Sequence, residues 1–298
     1  MTVGKGLNPK EIASLLKQHD VIRSENGFLS SARVLGWSRR LKAGRYRFRG
    51  WITHFSVLNT IARGRVFSEK ITFPEGIRTS KIAQLLQKQI GIDSATVMKL
   101  VGNPEFCRRL GVEVNSLEGY LYPDTYLLQT DDSAESVLSG MVYRFRGMFS
   151  DSLKEKAKNR GFTVHQIMTL ASIVEGEARL DAERPIIAAI YLNRLRKNIP
   201  LQADPTLQYL IPNGPRRLLE IDLKINSPYN TYLYPGLPPG PVNNPGIHSI
   251  RAVLNPAPVS YLYLVANGDG SHTFSSSLDQ HNNAKRRFDR IRQQVQTR

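Results

Sequence analysis

Twelve of the chain's 17 prolines fall between residues 200 and 258, at positions 200, 205, 212, 215, 228, 235, 238, 239, 241, 245, 256 and 258. Proline donates no backbone hydrogen bond and clashes with the preceding helical turn, so this stretch can be neither one long helix nor a central strand. It predicts long ordered loops alternating with short elements. Loops of that kind, held on a rigid scaffold, are where binding and catalysis concentrate. The remainder of the 298 residues must supply the scaffold, and a chain of this length can bury most of its apolar surface.

Upstream, the patterning is that of helices and short strands. In PKEIASLLKQHDVI, residues Ile12, Leu15 and Leu16 share one helical face and Pro9 suits the first turn. The stretch RYRFRGWI at 45–52 alternates basic and apolar side chains from Arg45 to Arg49, which predicts a half-buried strand with Tyr46 and Phe48 facing inward. FPEGIRTSKIAQLLQKQ at 73–89 repeats the arrangement of GLNPKEIASLL, which predicts a small α+β unit used twice. Two copies are too few for a solenoid. Residues 94–160 read as mostly helical, interrupted by the aromatic turn LEGYLYPDTY at 117–126. Residues 164–197 read as two helices separated by a polar break around Asp181 to Pro185. YLYLVA at 261–266 is the best late strand, and residues 279–296 read as a basic closing helix.

Lys and Arg outnumber Asp and Glu by 41 to 25, so the surface carries a positive field that draws polyanions: nucleic acid, anionic lipid headgroups or anionic cell-wall polymer. Charge alone does not choose among them. The single cysteine, Cys107, can form neither an intrachain disulfide nor a cysteine-based zinc site. No apolar run approaches the length of a membrane span, and residues 1–20 lack the pattern of a signal peptide. The expectation is a soluble chain that either works in the cytoplasm or has had a targeting segment removed from upstream of residue 1. The sequence contains no HExxH zinc helix, phosphate-cradling GxxxxGK loop, GxSxG elbow or GxGxxG loop, its six histidines are scattered, and it carries no nucleic-acid fold signature. No metal or cofactor is expected.

Chemistry concentrates in three places. TLASIVEGEARL at 169–180 sets Glu175 and Glu177 within an apolar helix, each roughly 80° from the mean apolar direction and on opposite sides. Only one can face a given cleft, and a partly desolvated one would have the raised pKa that a general acid needs. Helical geometry leaves the choice between them open, and two ordinary boundary glutamates would fit the same pattern. NRL at 193–195 and IPLQADPTLQYL at 199–210 gather Asn193, Gln202, Asp204, Thr206 and Tyr209, a mixture suited to gripping sugar hydroxyls and ring faces. Turn formation accounts for the same residues, with Asp204 as an N-cap. SPYNTYLYPGLPPGPVNNPG at 227–246 adds Tyr229, Asn230 and Tyr232, and NGDGSHTFS at 267–275 leads a turn into His272.

Taken in order, LKAGRYRF, FPEG, LEGYLYPDTY, ASIVEGEA, NRL with PLQADPTLQY, SPYNTY with GLPPGPVNNPG, and YLYLVANGDGSHTFS with His281 and Asn282 resemble the endolytic murein transglycosylase family, called MltG or YceG-like. The resemblance spans nearly the whole chain. It implies an α+β protein: a LysM-like N-terminal module over 1–70, then a larger catalytic α+β domain over 71–298 with a lysozyme-like active-site helix, the second small α+β unit at about 71–92 included. It places the catalytic residue at the second glutamate of ASIVEGEA, Glu177, with Glu175 as a supporting candidate. It implies peptidoglycan glycan strands as substrate, work beside wall-synthesis enzymes such as penicillin-binding proteins, and no nucleic-acid partner. Family members usually begin with a membrane-spanning helix that anchors them at the periplasmic face of the inner membrane, and this chain departs from that pattern. The implied reaction cleaves the bond between N-acetylmuramic acid and N-acetylglucosamine and leaves 1,6-anhydro ends, which limits strand elongation. The rival readings are a muramidase using Asp204 as a second carboxylate, a non-catalytic glycan-binding protein, and a basic nucleic-acid-binding protein.

Overall fold

The computed structural model describes residues 1–4, 6–48, 52–64, 68–212 and 214–296, with side chains described to residue 287. The chain divides into two compact units. The first comprises Met1–Ile71, Leu86–Asp93 and Thr125–Ala134, and the second Thr72–Leu85, Ser94–Asp124 and Glu135–Arg298.

The first unit begins β1 (Thr2–Val3), α1 (Pro9–Gln18), α2 (Glu25–Val34), β2 (Gly44–Arg45), α3 (His54–Arg63). Asn8 starts α1 because its side chain accepts from the Lys10 and Glu11 amides while Glu11 reaches back to the Asn8 amide, and Pro9 has no amide to leave unpaired. Strands β1 and β2 pair antiparallel, Thr2 opposite Arg45. Ile12, Leu16, Phe28, Tyr46, Leu58 and Ile61 fill the core. The Tyr46 hydroxyl avoids an unpaired burial by donating to the Lys42 carbonyl at 2.8 Å. A second two-stranded sheet pairs β3 (Ser68–Thr72) with β4 (Thr125–Gln129).

In the second unit follow α4 (Thr79–Ile90), whose last turn belongs to the first unit, α5 (Ser94–Val101), α6 (Pro104–Arg109), α7 (Ala134–Met148) and α8 (Asp151–Asn159). The central helix is α9 (Val164–Glu177), in which every residue from Ile167 to Val174 is buried. A helix apolar on all sides must be enclosed, and α9 is packed by α8, α10 (Arg184–Arg196), α11 (Asp204–Leu210) and α12 (Ile247–Leu254). The hairpin β5 (Tyr263–Ala266) and β6 (His272–Ser275) and the closing helix α13 (Leu278–Gln296) complete the unit.

From residue 211 to 246 the described backbone holds one 3-10 turn, Asp222–Lys224, in keeping with its prolines. Side chains order it. Asn244 accepts the Gly119 and Leu121 amides on Oδ1 and donates to the Ile77 carbonyl, and Asn243 donates to the Ser172 carbonyl at 2.8 Å.

Three expectations change. The strand expected over 45–49 ends at Arg45, because its partner β1 is two residues long; Tyr46 is buried and Phe48 half-buried as expected, and Arg49 to Trp51 lie outside the described residues. The stretch read as helical between 94 and 160 contains β4, whose partner β3 lies more than fifty residues earlier and is invisible to local patterning. The late strand begins at Tyr263 rather than 261. No helix among the described residues is long and apolar enough to cross a membrane.

Candidate active site

The two glutamates of α9 have opposite fates. Two residues apart on a helix, they point about 200° from each other. Glu175 turns inward. Its Oε1 accepts from the Arg184 guanidinium at 3.0 Å, and its Oε2 from the Ser249 hydroxyl at 2.8 Å and the Gly246 amide at 3.0 Å. Both side chains of the pair are under 10% exposed, 8% for Arg184 and 6% for Glu175, so this is a closed structural clamp between α9, α10 and α12.

Glu177, the last residue of α9, keeps 18% of its side chain exposed, at the wall of a cleft of about 890 Å³. Its Oε2 accepts from the hydroxyl of the buried Tyr191 on α10 at 3.1 Å, and its Oε1 lies 3.9 Å from His272 Nε2 on β6. The ring is fixed by Glu183, which accepts from His272 Nδ1 at 2.7 Å and from the His272 amide at 3.0 Å. That bond makes Nδ1 the donor and turns Nε2 toward Glu177.

Burial, and after it the negative charge of Asp204, push the Glu177 carboxyl up to about 7, against the smaller opposing effects of His272 and the Tyr191 hydroxyl. Tyr191 is itself pushed well up, by burial first and the Glu177 charge second, and so remains a donor. Asp204 lines the same cleft and is held by the Tyr232 hydroxyl at 2.5 Å. Asp204 is not the cap of α11: Ala203 occupies that position and Asp204 the first turn, so its carboxylate is held by Tyr232 rather than by the helix amides.

The other sequence candidates separate. Asn193 donates to the carbonyls of Val259 and Tyr261, both at 2.9 Å, and Asn230 to those of Leu223 at 3.0 Å and Ile225 at 2.8 Å. Thr206 is buried against Ala203 and Thr231, and Gln202 is held by the Arg194 guanidinium and the Thr231 carbonyl. These four hold loops in place. Tyr209 packs on Tyr229 with ring centroids 5.0 Å apart, and Tyr229 lines a second cavity of about 560 Å³ with His165 and Glu118.

The structure adds residues that patterning did not single out. Tyr191 and Glu183 support Glu177 and His272, and Arg78, Lys81 and Arg179 put three cations on the cleft wall. Gly176 also lines the cleft; a Cβ there would meet Pro205 Cβ at 2.7 Å, so α11 packs this closely only on glycine. Among the described residues no cluster of His, Cys, Asp and Glu is arranged to hold a metal ion.

A largely buried, protonatable carboxyl with one oxygen held by a neutral hydroxyl, a second carboxylate in the same cleft and three cations on its wall is arranged for proton transfer to a substrate that carries negative charge. The profile of the YceG-like family matches residues 1–287. An endolytic murein transglycosylase of Bacillus subtilis (strain 168) is 32% identical over 304 residues, covering 97% of this chain and 84% of that protein. A Streptococcus pneumoniae (serotype 2, strain D39) protein of the same name is 27% identical over 315 residues, covering 94% of this chain and 57% of that protein. A 2.6 Å crystal structure of a YceG-like protein from Listeria monocytogenes superposes with a TM-score of 0.68 at 31% identity, covering 95% of this chain and 97% of that one.

Proposed function

The chain belongs to the YceG-like family, and on that premise we propose that it is an endolytic murein transglycosylase with Glu177 as its general acid and base. The observation that carries the reading is the Glu177 carboxyl itself, pushed up to about 7 by burial at the wall of a cleft of about 890 Å³ that is also lined by Asp204 and three cations. Glu177 gives its proton to the glycosidic oxygen, the bond from that oxygen to C1 of N-acetylmuramic acid breaks, and N-acetylglucosamine leaves with a free hydroxyl. The muramyl O6 then bonds to C1, closing a 1,6-anhydro ring, and its proton returns to Glu177. No water is consumed. One carboxylate serves both steps, whereas hydrolysis uses two.

Asp204 keeps Glu177 protonated, His272 and Tyr191 orient it, and Arg78, Lys81 and Arg179 draw the carboxylates of the substrate toward the cleft. Of the loop residues, Asp204, Tyr232 and His272 remain as site groups, while Tyr209 and Tyr229 form a tilted ring pair and Tyr229 lines the second cavity. The β-α-α-β order of residues 2–45, closed by an antiparallel pair, supports the reading of residues 1–70 as a LysM-like glycan-binding module ahead of a catalytic domain over 71–298. The work would be done in the cell envelope, beside penicillin-binding proteins, where cutting new strands limits their length.

Digestion of intact peptidoglycan in heavy-oxygen water, with mass spectrometry of the products, tests the reaction. Internal cuts ending in 1,6-anhydromuramic acid without heavy oxygen are expected. Reducing ends carrying heavy oxygen would make the protein a muramidase and give Asp204 the role of second carboxylate.

A further inference from the structure

Between Glu25 and Glu69 the chain contains no acidic residue: residues 26–68 carry nine Lys and Arg and no Asp or Glu. Seven of these cations, Arg33, Arg39, Arg40, Lys42, Arg45, Arg47 and Arg63, are described and all seven are exposed on the first unit. The first unit carries 15 Lys and Arg against 7 Asp and Glu, so half of the chain's net charge of +16 lies on a unit that does not contain the cleft.

Among these cations, apolar side chains face outward. Val34 at the end of α2 is 86% exposed, Leu35 36% and Phe55 56%. Phe55 stands against the half-buried Trp37, with ring centroids 5.7 Å apart. The core does not need them, since Ile12, Phe28, Tyr46, Leu58 and Ile61 fill it. Val34 and Leu35 are adjacent and Phe55 pairs with Trp37, so these apolar groups are accessible to a partner.

We propose that this face docks on the surface of an anionic lipid bilayer, with Val34, Leu35 and Phe55 entering the headgroup region and Arg33, Arg39, Arg40 and Lys42 meeting lipid phosphates. Charge would attract any polyanion, but a hydrated glycan or nucleic acid gives exposed aliphatic side chains nothing to enter. A bilayer interface does, and an apolar contact joined to a basic cluster is the two-part combination that holds peripheral proteins there. The proposal stands apart from the catalytic reading, because it uses none of the cleft's residues.

The test is binding of the full chain to phosphatidylglycerol-containing vesicles, with pure phosphatidylcholine vesicles as reference. Both tryptophans, Trp37 and Trp51, fall in the acid-free segment, so their emission reports on it. Co-sedimentation with anionic vesicles only, weakened by salt and accompanied by a blue shift, is expected. Arg39→Gln with Arg40→Gln should weaken partitioning roughly fivefold per cation removed. Val34→Ser with Phe55→Ser should also weaken it several-fold, while leaving binding to heparin, a soluble polyanion, unchanged. All four positions are exposed or at the surface, and thermal melting checks that the variants fold. No binding to anionic vesicles at low salt would overturn the proposal. Vesicle binding that ignored the apolar double variant would overturn it as well and leave a polyanion-binding face.

Discussion

Replacing Tyr191 by Phe removes the hydroxyl that donates to Glu177 Oε2 at 3.1 Å and leaves the ring that fills the same buried space. The hydroxyl stabilises the charged carboxylate, and its presence lowers the Glu177 pKa. A hydrogen bond to a charged group contributes about 1.5–3 kcal/mol, and one pKa unit corresponds to about 1.4 kcal/mol, so its loss should raise the pKa from about 7 by roughly one to two units. A general acid works only while protonated. The rate of release of anhydro ends, followed as kcat/KM against pH, should therefore fall on the alkaline side near 7 for the unmodified chain. In Tyr191→Phe the same limb should move to higher pH. Asp204→Asn takes away a negative charge that raises the pKa, so there the limb should move to lower pH. A limb that stays in place in both variants, or moves the same way in both, would refute this account of how Glu177 is tuned.

Glu177→Gln should make the protein more stable at alkaline pH. The folded carboxyl titrates at about 7 against an ordinary 4.5, so its favourable protonated form is fully present below about 4.5 and lost as pH rises through 7. The difference amounts to about 3 kcal/mol, seen as a raised Tm for Glu177→Gln at about pH 8 and none at about pH 4. Glu175→Gln should do the reverse: it removes one of the two carboxylates that Arg184 meets, Asp181 at 2.8 Å being the other, and should destabilise the fold by about 1–3 kcal/mol in chemical denaturation, while the pH profile of cleavage by the folded fraction keeps its shape. Gly176→Ala should lower stability by about 1–3 kcal/mol, since its methyl group meets Pro205, and lower activity with it because the strain falls beside Glu177.

Much of the scaffold could be read from local chemistry. The amphipathic helix with Pro9 in its first turn, the apolar run of α9 and the proline texture after 198 each act within a few residues, and each appears where patterning puts it. The choice between Glu175 and Glu177 could not be read in that way. It is made by Arg184, Gly246 and Ser249, up to 74 residues away, which hold Glu175 and leave Glu177 to the cleft. Tyr191 lies in the apolar run IIAAIYL and looks like core, which it is, apart from one hydroxyl. Asn193 and Asn230 have the chemistry of sugar-binding groups, yet proline-rich loops leave carbonyls without partners in secondary structure, and these amides answer them. Burial and long-range partners, neither of which is local, decided those roles.

The central claim is that one carboxyl carries the reaction. Its most direct test is to incubate the chain and its Glu177→Gln variant, matched by circular dichroism, with the same intact peptidoglycan and count 1,6-anhydromuramic ends by mass spectrometry. Anhydro ends from the unmodified chain, reduced by a factor of about 10² to 10⁴ in the variant, are predicted. Equal release by both proteins would contradict the claim and move the acid elsewhere in the cleft.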